Sequence, residues 1–289
     1  MSEVAEAYRV DNAPVESGVE IENDVYHSMA GVSSSRLKVF MDDVRLYWYQ
    51  FLSGQYEQPR KAHFDFGTAV HELALLGDKS CVVEIPEDVL ATNGAKSGKT
   101  WKAFEAAHAG ATLLKASEYA ALNGCVESLR KHPVAGSLLE QSGICEAAFF
   151  TEDGNLELAM RCKPDKLLSN GIVMDLKTTA TGTTAAKFVK SVAGFRYAHQ
   201  EYFYRRVLRE CGVEVKAFVF VAVATEPPYT VDCYTLSAEF LQIAEVDVEN
   251  ALMELAERTR ANDWLPRNHN SIVELSPPNW MKFNGEYSL

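Results

Sequence analysis

The feature that most constrains the fold is a run of strand-like segments that begins near residue 144. The segments read ICEAAFFTE, LELAMRCKPD, GIVMDLKTT and VKAFVFVAV. Asp153-Gly154-Asn155 has the turn chemistry of a hairpin between the first two. After a polar loop, a helix is predicted from about 196 to 211, between the third and fourth segments. Strands interrupted by a helix in this order predict an α/β fold built on a mixed sheet flanked by helices.

The residues before this run are predicted to be mainly helical. Ser33-Ser34-Ser35 offers N-cap residues before RLKVFMDDVRLYWYQFL, whose apolar residues follow helical spacing. A second helix, FGTAVHELALLG, is expected to end at Gly77. A strand at 81–85 and helices at about 100–108, 117–131 and 134–141 complete this part. Beyond the sheet, a strand at 229–236 and a long helix from about Ala238 to Ala261 are predicted.

The domain boundaries follow from these patterns. Residues 1–25 are acidic and lack periodicity, so they are expected to form a flexible tail. Residues 26–289 are expected to form a single domain. Its parts are a mainly helical elaboration (26–143), the sheet core (144–236) and a C-terminal helix with an irregular tail (237–289).

Composition excludes several classes of protein. The 40 acidic and 28 basic residues give a net charge of −12, which excludes a uniformly basic nucleic-acid coat protein. No run approaches the roughly 18 apolar residues that span a bilayer, and the N-terminus lacks the basic and apolar regions of a signal peptide. A cytoplasmic protein without membrane contact is therefore expected.

Two kinds of cofactor are not expected. The six cysteines are scattered, with no CxxC pair, which argues against a structural zinc site and an iron–sulfur cluster. The segment Gly94-Ala95-Lys96-Ser97-Gly98-Lys99-Thr100 resembles a P-loop, but it has three residues between its glycines where the motif needs four. A nucleotide cofactor is therefore not expected.

The chemistry is carried by Lys163-Pro164-Asp165 and, after nine intervening residues, Asp175-Leu176-Lys177. Asp165 is expected to close one strand. On the next strand, Asp175 and Lys177 are two residues apart and point to the same face, while Leu176 points into the core. If these strands are adjacent, two carboxylates and an ammonium converge at one end of the sheet. Mg²⁺ prefers such oxygen ligands, and a neighbouring lysine can orient a nucleophilic water molecule.

These residues resemble the motif of the PD-(D/E)xK nuclease superfamily, with a restriction-endonuclease-like fold. Two further patterns, Gly67-x-x-x-His71 and Gln200-x-x-x-Tyr204, are similar to helices of its RecB-like and RecE-like branches. With Tyr26-His27, Val32–Ser35, Lys99–Lys102 and the WLPRNHNSIVELSPPNW tail, the chain resembles the RecE-like exonuclease VIII family, which is associated with phages and prophages.

The resemblance implies a role for each of these residues. His71, Asp165, Asp175 and the backbone carbonyl of Leu176 would bind the metal. Lys177 would position the attacking water, and Gln200 and Tyr204 would support the lysine and the DNA. The metal would be Mg²⁺, with Mn²⁺ as a substitute.

The resemblance also implies an activity and partners. The activity would be 5′→3′ digestion of one strand at the ends of linear double-stranded DNA, releasing 5′ mononucleotides. The remaining 3′ single strand would pass to a single-strand annealing protein during recombination, and the nuclease would form a ring-like homo-oligomer around the DNA. Two alternatives stay open: an endonuclease or single-strand nuclease on the same fold, and a non-catalytic DNA-binding or assembly module.

The local charge agrees with a nucleic-acid site around the motifs. Residues 161–216 hold eleven Lys or Arg against five Asp or Glu, in a chain that is otherwise strongly acidic. A phosphate backbone is attracted to such a concentration of cations. The candidate phosphate contacts are Lys187, Lys190, Arg196, Arg205, Arg206 and Arg209. Glu146 is a weaker candidate for the metal site, and a plain surface position is favoured for it.

Overall fold

The structure is a computed structural model that describes residues 18–57, 66–77 and 82–277. The strands of this part of the chain are, in order, β1 (Val19–Glu20), β2 (Val82–Glu84), β3 (Thr112–Leu114), β4 (Gly143–Cys145), β5 (Ala147–Asp153), β6 (Leu158–Cys162), β7 (Lys166–Leu168), β8 (Ile172–Thr179), β9 (Ala217–Ala224) and β10 (Val231–Tyr234).

The α-helices of the same ranges are, in order, α1 (Asn23–Ser28), α2 (Ser34–Asp42), α3 (Val44–Phe51), α4 (Phe66–His71), α5 (Lys99–Ala107), α6 (Ala116–Lys131), α7 (Pro133–Glu140), α8 (Ala185–Gly194), α9 (Tyr197–Glu210) and α10 (Ala238–Ala261). A π-helical turn, Glu72–Leu76, continues α4. It ends at Gly77, whose φ of 67° is the left-handed conformation that glycine adopts most easily, as predicted.

The central sheet has five strands in the order β10-β9-β8-β7-β4. Strands β8 and β9 pair in parallel and their other neighbours pair antiparallel, so the sheet is mixed. Helix α8 and helix α9 form the connection between the parallel strands. The α/β class with a mixed sheet is therefore confirmed. The predicted hairpin is β5-β6, which forms a separate three-stranded sheet with β1.

Helices cover both faces of the central sheet. On β8, Val173 faces a hydrophobic cluster that includes residues of α2, α3, α8, α9 and α10. The alternate residues of the same strand, Met174 and Leu176, face a second cluster with residues of α4, α6 and α7. This alternation is the period of two that a strand imposes. Asp175 and Lys177 consequently share the face of Val173, which is the placement that the sequence predicted.

Several elements differ from the sequence prediction. The run predicted as one helix after Ser35 is two helices, because Asp43 is extended and its carboxylate accepts a hydrogen bond from the Leu46 N–H at 2.9 Å, which caps α3. The segment predicted as one strand at 144–152 breaks at Glu146, and its two halves, β4 and β5, lie in different sheets. The short strands β3 and β7 and the helix α8 were not predicted.

Residues 18–25 are part of the folded domain. Val19–Glu20 pairs with β5, and α1 starts at Asn23, so a flexible tail as far as residue 25 is wrong for residues 18–25. Residues 1–17 of that prediction lie outside the described residues. Among the described residues, no helix is both long enough and apolar enough to cross a membrane.

Residues between 85 and 113 form a small module beside the main domain. Its own core contains Ile85, Val89 and Trp101. Strands β2 and β3 pair in parallel at its base, and Val82 and Leu114 connect it to the cluster under the central sheet.

Candidate active site

The two motif segments meet on neighbouring strands of the central sheet. Asp165 was expected to close the strand β6, but β6 ends earlier, at Cys162. It precedes β7, in which Lys166 is paired with Met174 of β8. This register places Asp165 beside the middle of β8, where its Oδ2 accepts a hydrogen bond from the Leu176 backbone N–H at 2.6 Å. The side chain of Leu176 lies in the core, as predicted.

Asp175, Lys177 and Gln200 form a closed set of polar contacts. The Lys177 ammonium contacts Asp175 Oδ1. Gln200, on α9, donates from Nε2 to Asp175 Oδ2 at 2.6 Å and accepts from Lys177 Nζ through Oε1 at 3.2 Å. The Asp175 side chain is only 1% exposed, so these neighbours supply the polar contacts that a buried carboxylate requires. Gln200 therefore fixes the positions of both Asp175 and Lys177.

A second group of possible ligands lies on the other side of Asp165. His71 Nδ1 is 3.4 Å from Asp165 Oδ2. One ligand atom from each of His71, Glu146 and Asp165 lies within 4.8 Å of the others, and among the described residues this is the cluster that could hold a metal ion. The oxygens of Asp175 face Lys177 and Gln200 instead. The structure thus brings the predicted ligands into one region. Asp165 lies with His71 and Glu146, whereas Asp175 lies with Lys177 and Gln200.

Glu146 belongs to this region, contrary to the surface position favoured from the sequence. Its backbone N–H donates to the Asp165 carbonyl at 3.0 Å, and its φ of 52° turns the chain between β4 and β5. Its Oε2 is 3.2 Å from Lys163 Nζ. The sequence made Glu146 only a weaker candidate, since it lies 19 residues before Asp165 in a segment that reads as one uninterrupted strand. The one available signal was a charged residue within an otherwise apolar run.

Tyr204 occupies a different position from the one the resemblance implied. Its hydroxyl donates to the Lys163 backbone carbonyl at 3.3 Å. Lys163 Nζ in turn donates to Asn23 Oδ1 at 2.6 Å and to the Ile21 carbonyl at 3.1 Å. Tyr204 therefore supports the backbone that leads to Asp165, and it is Gln200 that contacts the active-site lysine. Burial raises the pKa of the Tyr204 hydroxyl well above its usual value, so it stays a neutral donor.

The two groups on β8 have perturbed proton affinities. Burial raises the pKa of Asp175 to about 6, although the neighbouring Lys177 ammonium favours its charged form. Burial also acts against the charged form of Lys177, but Asp175 and Asp165 outweigh it and raise the pKa of Lys177 above its usual value. Lys177 is therefore protonated at neutral pH. It can donate hydrogen bonds and stabilise negative charge, and it cannot act as a general base in this state.

His71 and Asp165 stabilise each other's charged forms. Burial disfavours the imidazolium of His71, yet the Asp165 carboxylate more than offsets this and raises the pKa of His71 to about 9. Burial likewise acts to raise the pKa of Asp165, but His71 and Lys177 hold it below its usual value. A protonated His71 thus balances the negative charge of the Asp165 carboxylate at this end of the sheet.

The predicted phosphate contacts fall into two groups. Arg205 and Arg206 are structural, which contradicts the prediction: Arg205 Nη2 is 2.8 Å from Glu201 Oε1, and Arg206 is buried between carboxylates of β5 and α10. Arg196 is also paired, with Asp42 at 2.7 Å. The remaining candidates are exposed and form no ion pair with the described residues; they are Lys187, Lys190 and Arg209.

A protein-family profile described as a PDDEXK-like domain of unknown function (DUF3799) matches residues 33–267. The chain belongs to this family. The matched range contains all of the candidate site residues. The restriction-endonuclease-like fold that the motif resemblance implied is thereby confirmed, and a nuclease fold of this kind has DNA as its substrate class. No curated protein matches the sequence.

One solved structure agrees with this fold. A crystal structure from Eubacterium rectale, described as "Putative exonuclease", is 14% identical, covers 93% of this chain and 100% of its own, and has a TM-score of 0.57. At this identity the similarity shows the fold alone. A second crystal structure, SSO0001, is also 14% identical and covers 70% of this chain and 86% of its own; its TM-score of 0.29 is too low to support an argument.

Proposed function

We propose that this protein is a Mg²⁺-dependent DNA exonuclease that digests one strand from the ends of linear duplex DNA. The observation that carries the proposal is the convergence of Asp165, Asp175 and Lys177 at one place on the sheet, where Gln200 joins the last two. Two carboxylates, a protonated lysine and a nearby imidazole are the groups that metal-assisted hydrolysis of a phosphodiester requires.

The residues present fit a divalent metal ion. His71, Glu146 and Asp165 offer one nitrogen and two oxygen ligands within 4.8 Å of one another, and opposite ligands of Mg²⁺ are about 4.2 Å apart. A small closure of the cluster would suffice. Asp175 and the Leu176 carbonyl would complete the ligand set. Carboxylate and carbonyl oxygens also suit Mn²⁺, so Mn²⁺ is expected to substitute. When bound, the metal would supply an activated water molecule and neutralise charge on the scissile phosphate.

The side chains around this cluster have separate tasks. The Lys177 ammonium would orient the attacking water and stabilise the negative charge that develops on the phosphate oxygens. Gln200 is a positioning residue, because its amide holds Asp175 and Lys177 through two hydrogen bonds. Tyr204 positions the Lys163–Asp165 backbone. Glu201, which follows Gln200, is paired with Arg205 and holds α9 near β9 through that arginine.

Replacing Gln200 by alanine is expected to lower kcat about 10–100-fold with little change in KM, the usual range for residues that orient ligands. The reason is that Asp175 and Lys177 would lose the amide that connects them. Steady-state cleavage of a linear duplex measures this. Gln242→Ala, on the exposed face of α10, is the matched control and should retain wild-type activity. Equal activities of the two variants would show that Gln200 has no part in positioning the active site.

The finer features of the proposal rest on the resemblance to the RecE-like family. They are 5′→3′ polarity, release of 5′ mononucleotides and a 3′ single strand that serves recombination. A single-strand annealing partner, a ring-like homo-oligomer, a phage or prophage origin and a cytoplasmic location belong to the same proposal. The description of the Eubacterium rectale protein as an exonuclease agrees with an end-dependent activity.

The polarity can be tested with three DNA substrates. The protein is mixed with Mg²⁺ and linear duplex labelled at its 5′ end, the same duplex labelled at its 3′ end, or closed circular DNA. We expect rapid release of the 5′ label as mononucleotide and intact circles. Early release of the 3′ label would reverse the polarity. Nicked circles would indicate an endonuclease. Shortened single strands without cleavage of the duplex would indicate a single-strand nuclease.

A further inference from the structure

An exposed aromatic ring lies close to the proposed catalytic lysine. Phe195, in the corner between α8 and α9, is 62% exposed. Its ring is stacked on that of Tyr197, with centroids 5.7 Å apart and planes inclined by 25°. Lys177 Nζ lies 4.8 Å from the centre of the Tyr197 ring. Two stacked rings thus lead from the active-site ammonium to the surface of the protein.

The conformation of this corner is fixed from both sides. The Phe195 backbone N–H donates to the Ser191 carbonyl at 2.8 Å. The next residue, Arg196, has a left-handed φ of 55°, and its Nη2 is 2.7 Å from Asp42 Oδ1. A large apolar side chain is therefore held in water by backbone geometry and an ion pair. Burying such a ring against a ligand would be favourable.

The charge around Phe195 is favourable for a polyanion. Residues 176–200 contain four Lys or Arg and no Asp or Glu. Lys177 and Arg196 are paired with Asp175 and Asp42, which leaves the two lysines of α8 as the free cations of this segment. Lys187 and Lys190, on α8, are exposed and form no ion pair with the described residues. Cations on the helix that leads into an exposed aromatic ring are a combination that suits single-stranded nucleic acid, since the cations attract phosphates and the ring stacks on bases.

The surface beside His71, next to the metal cluster, is acidic. A groove of about 1220 Å³ opens there beside His71, and Lys96 and Lys163 are the lysines among its lining residues. Besides Glu146, which is a proposed metal ligand, five carboxylates line it, and they are Glu20, Glu22, Asp24, Glu72 and Glu105. Such a surface repels a phosphate backbone. The DNA strand is therefore expected to reach Asp165 and Asp175 from the side of Phe195.

We propose that Phe195 stacks on an unpaired nucleobase of the DNA strand entering the site, while Lys187 and Lys190 bind phosphates of the same strand. This inference rests on the proposed function and adds to it the position and the single-stranded character of the DNA contact. Because a base must leave its pair to stack on Phe195, the site selects a frayed or separated strand over an intact duplex.

The test measures binding without cleavage. A fluorescent single-stranded oligonucleotide is titrated with the whole protein in EDTA, and its anisotropy is recorded. Stacking contributes about 1–3 kcal/mol per base, so Phe195→Ala should weaken binding roughly 5–100-fold. Phe195→Trp should restore it. Val246→Ala, which removes another exposed apolar side chain, on α10, is the matched control and should bind like wild type.

A second oligonucleotide separates stacking from other effects. The same sequence with abasic positions offers phosphates but no bases, so wild type and Phe195→Ala should bind it equally. A twofold or smaller effect of Phe195→Ala on the normal oligonucleotide, or failure of tryptophan to restore binding, would overturn the proposal. So would an undiminished difference on the abasic strand. Because the assay contains no metal, these outcomes do not depend on whether the protein cleaves DNA.

Discussion

Replacing Asp175 by asparagine is expected to lower the rate of DNA cleavage at least about 100-fold, the loss typical when one preorganised charge is removed from an active site. Asp175 carries the negative charge that faces Lys177 and adjoins Asp165, and asparagine removes this charge with almost no change in volume. The fold should survive, because burial already raises the pKa of Asp175 to about 6 and thus favours a neutral side chain at this position.

The measurement is steady-state cleavage of linear duplex DNA in Mg²⁺, together with thermal unfolding of each protein. Asp88→Asn is the matched control, since Asp88 is exposed in the small module around residues 85–113 and should not affect activity. If Asp175→Asn retained more than a tenth of wild-type activity, Asp175 would have no direct part in the chemistry.

Replacing Lys177 by alanine is expected to abolish turnover and to leave metal binding nearly unchanged. The ligand cluster of His71, Glu146 and Asp165 does not include Lys177, whereas the ammonium is the donor available to orient water and stabilise the transition state. Turnover should fall at least about 100-fold. Mn²⁺ binding, measured by calorimetry, should stay within about threefold of wild type, a free-energy difference below about 0.7 kcal/mol.

A matched lysine and a second variant support this experiment. Lys131→Ala, on the exposed surface of α6, should leave both turnover and metal binding unchanged. Lys177→Met retains the length of the apolar stem and guards against a packing effect of alanine. Loss of Mn²⁺ binding in both Lys177 variants, with unchanged unfolding temperature, would show that the lysine builds the metal site and does not act in turnover.

The parts of the site that depend on regular periodicity could be predicted from the sequence. The period of two in β8 places Asp175 and Lys177 on one face and Leu176 in the core. The helical spacing of four places Gln200 and Tyr204 on one side of α9. The structure then shows that the two side chains reach different targets, the β8 carboxylate and the Lys163 carbonyl.

The parts that depend on chain breaks could not be predicted. Glu146 reads as an interior strand residue, yet its positive φ separates β4 from β5 and sends them to different sheets. Strand β7 is three residues long, too short for any alternation to be visible. Helix α8 follows a segment rich in Thr and Ala. Its buried residues are Phe188 and Val192, one turn apart, and two such residues make too weak a helical pattern to predict. Asp165 and Phe195 both owe their positions to these irregular segments.

The most direct test of metal-dependent DNA cleavage is a single comparison on linear duplex DNA. Wild-type protein is incubated with the DNA in EDTA, in Mg²⁺ and in Mn²⁺, and acid-soluble nucleotide is measured over time. We predict release in both metals, none in EDTA, and none in any condition for Asp175→Asn. Absence of cleavage in both metals by a folded wild-type protein would contradict the account and leave a non-catalytic DNA-binding module on a nuclease fold.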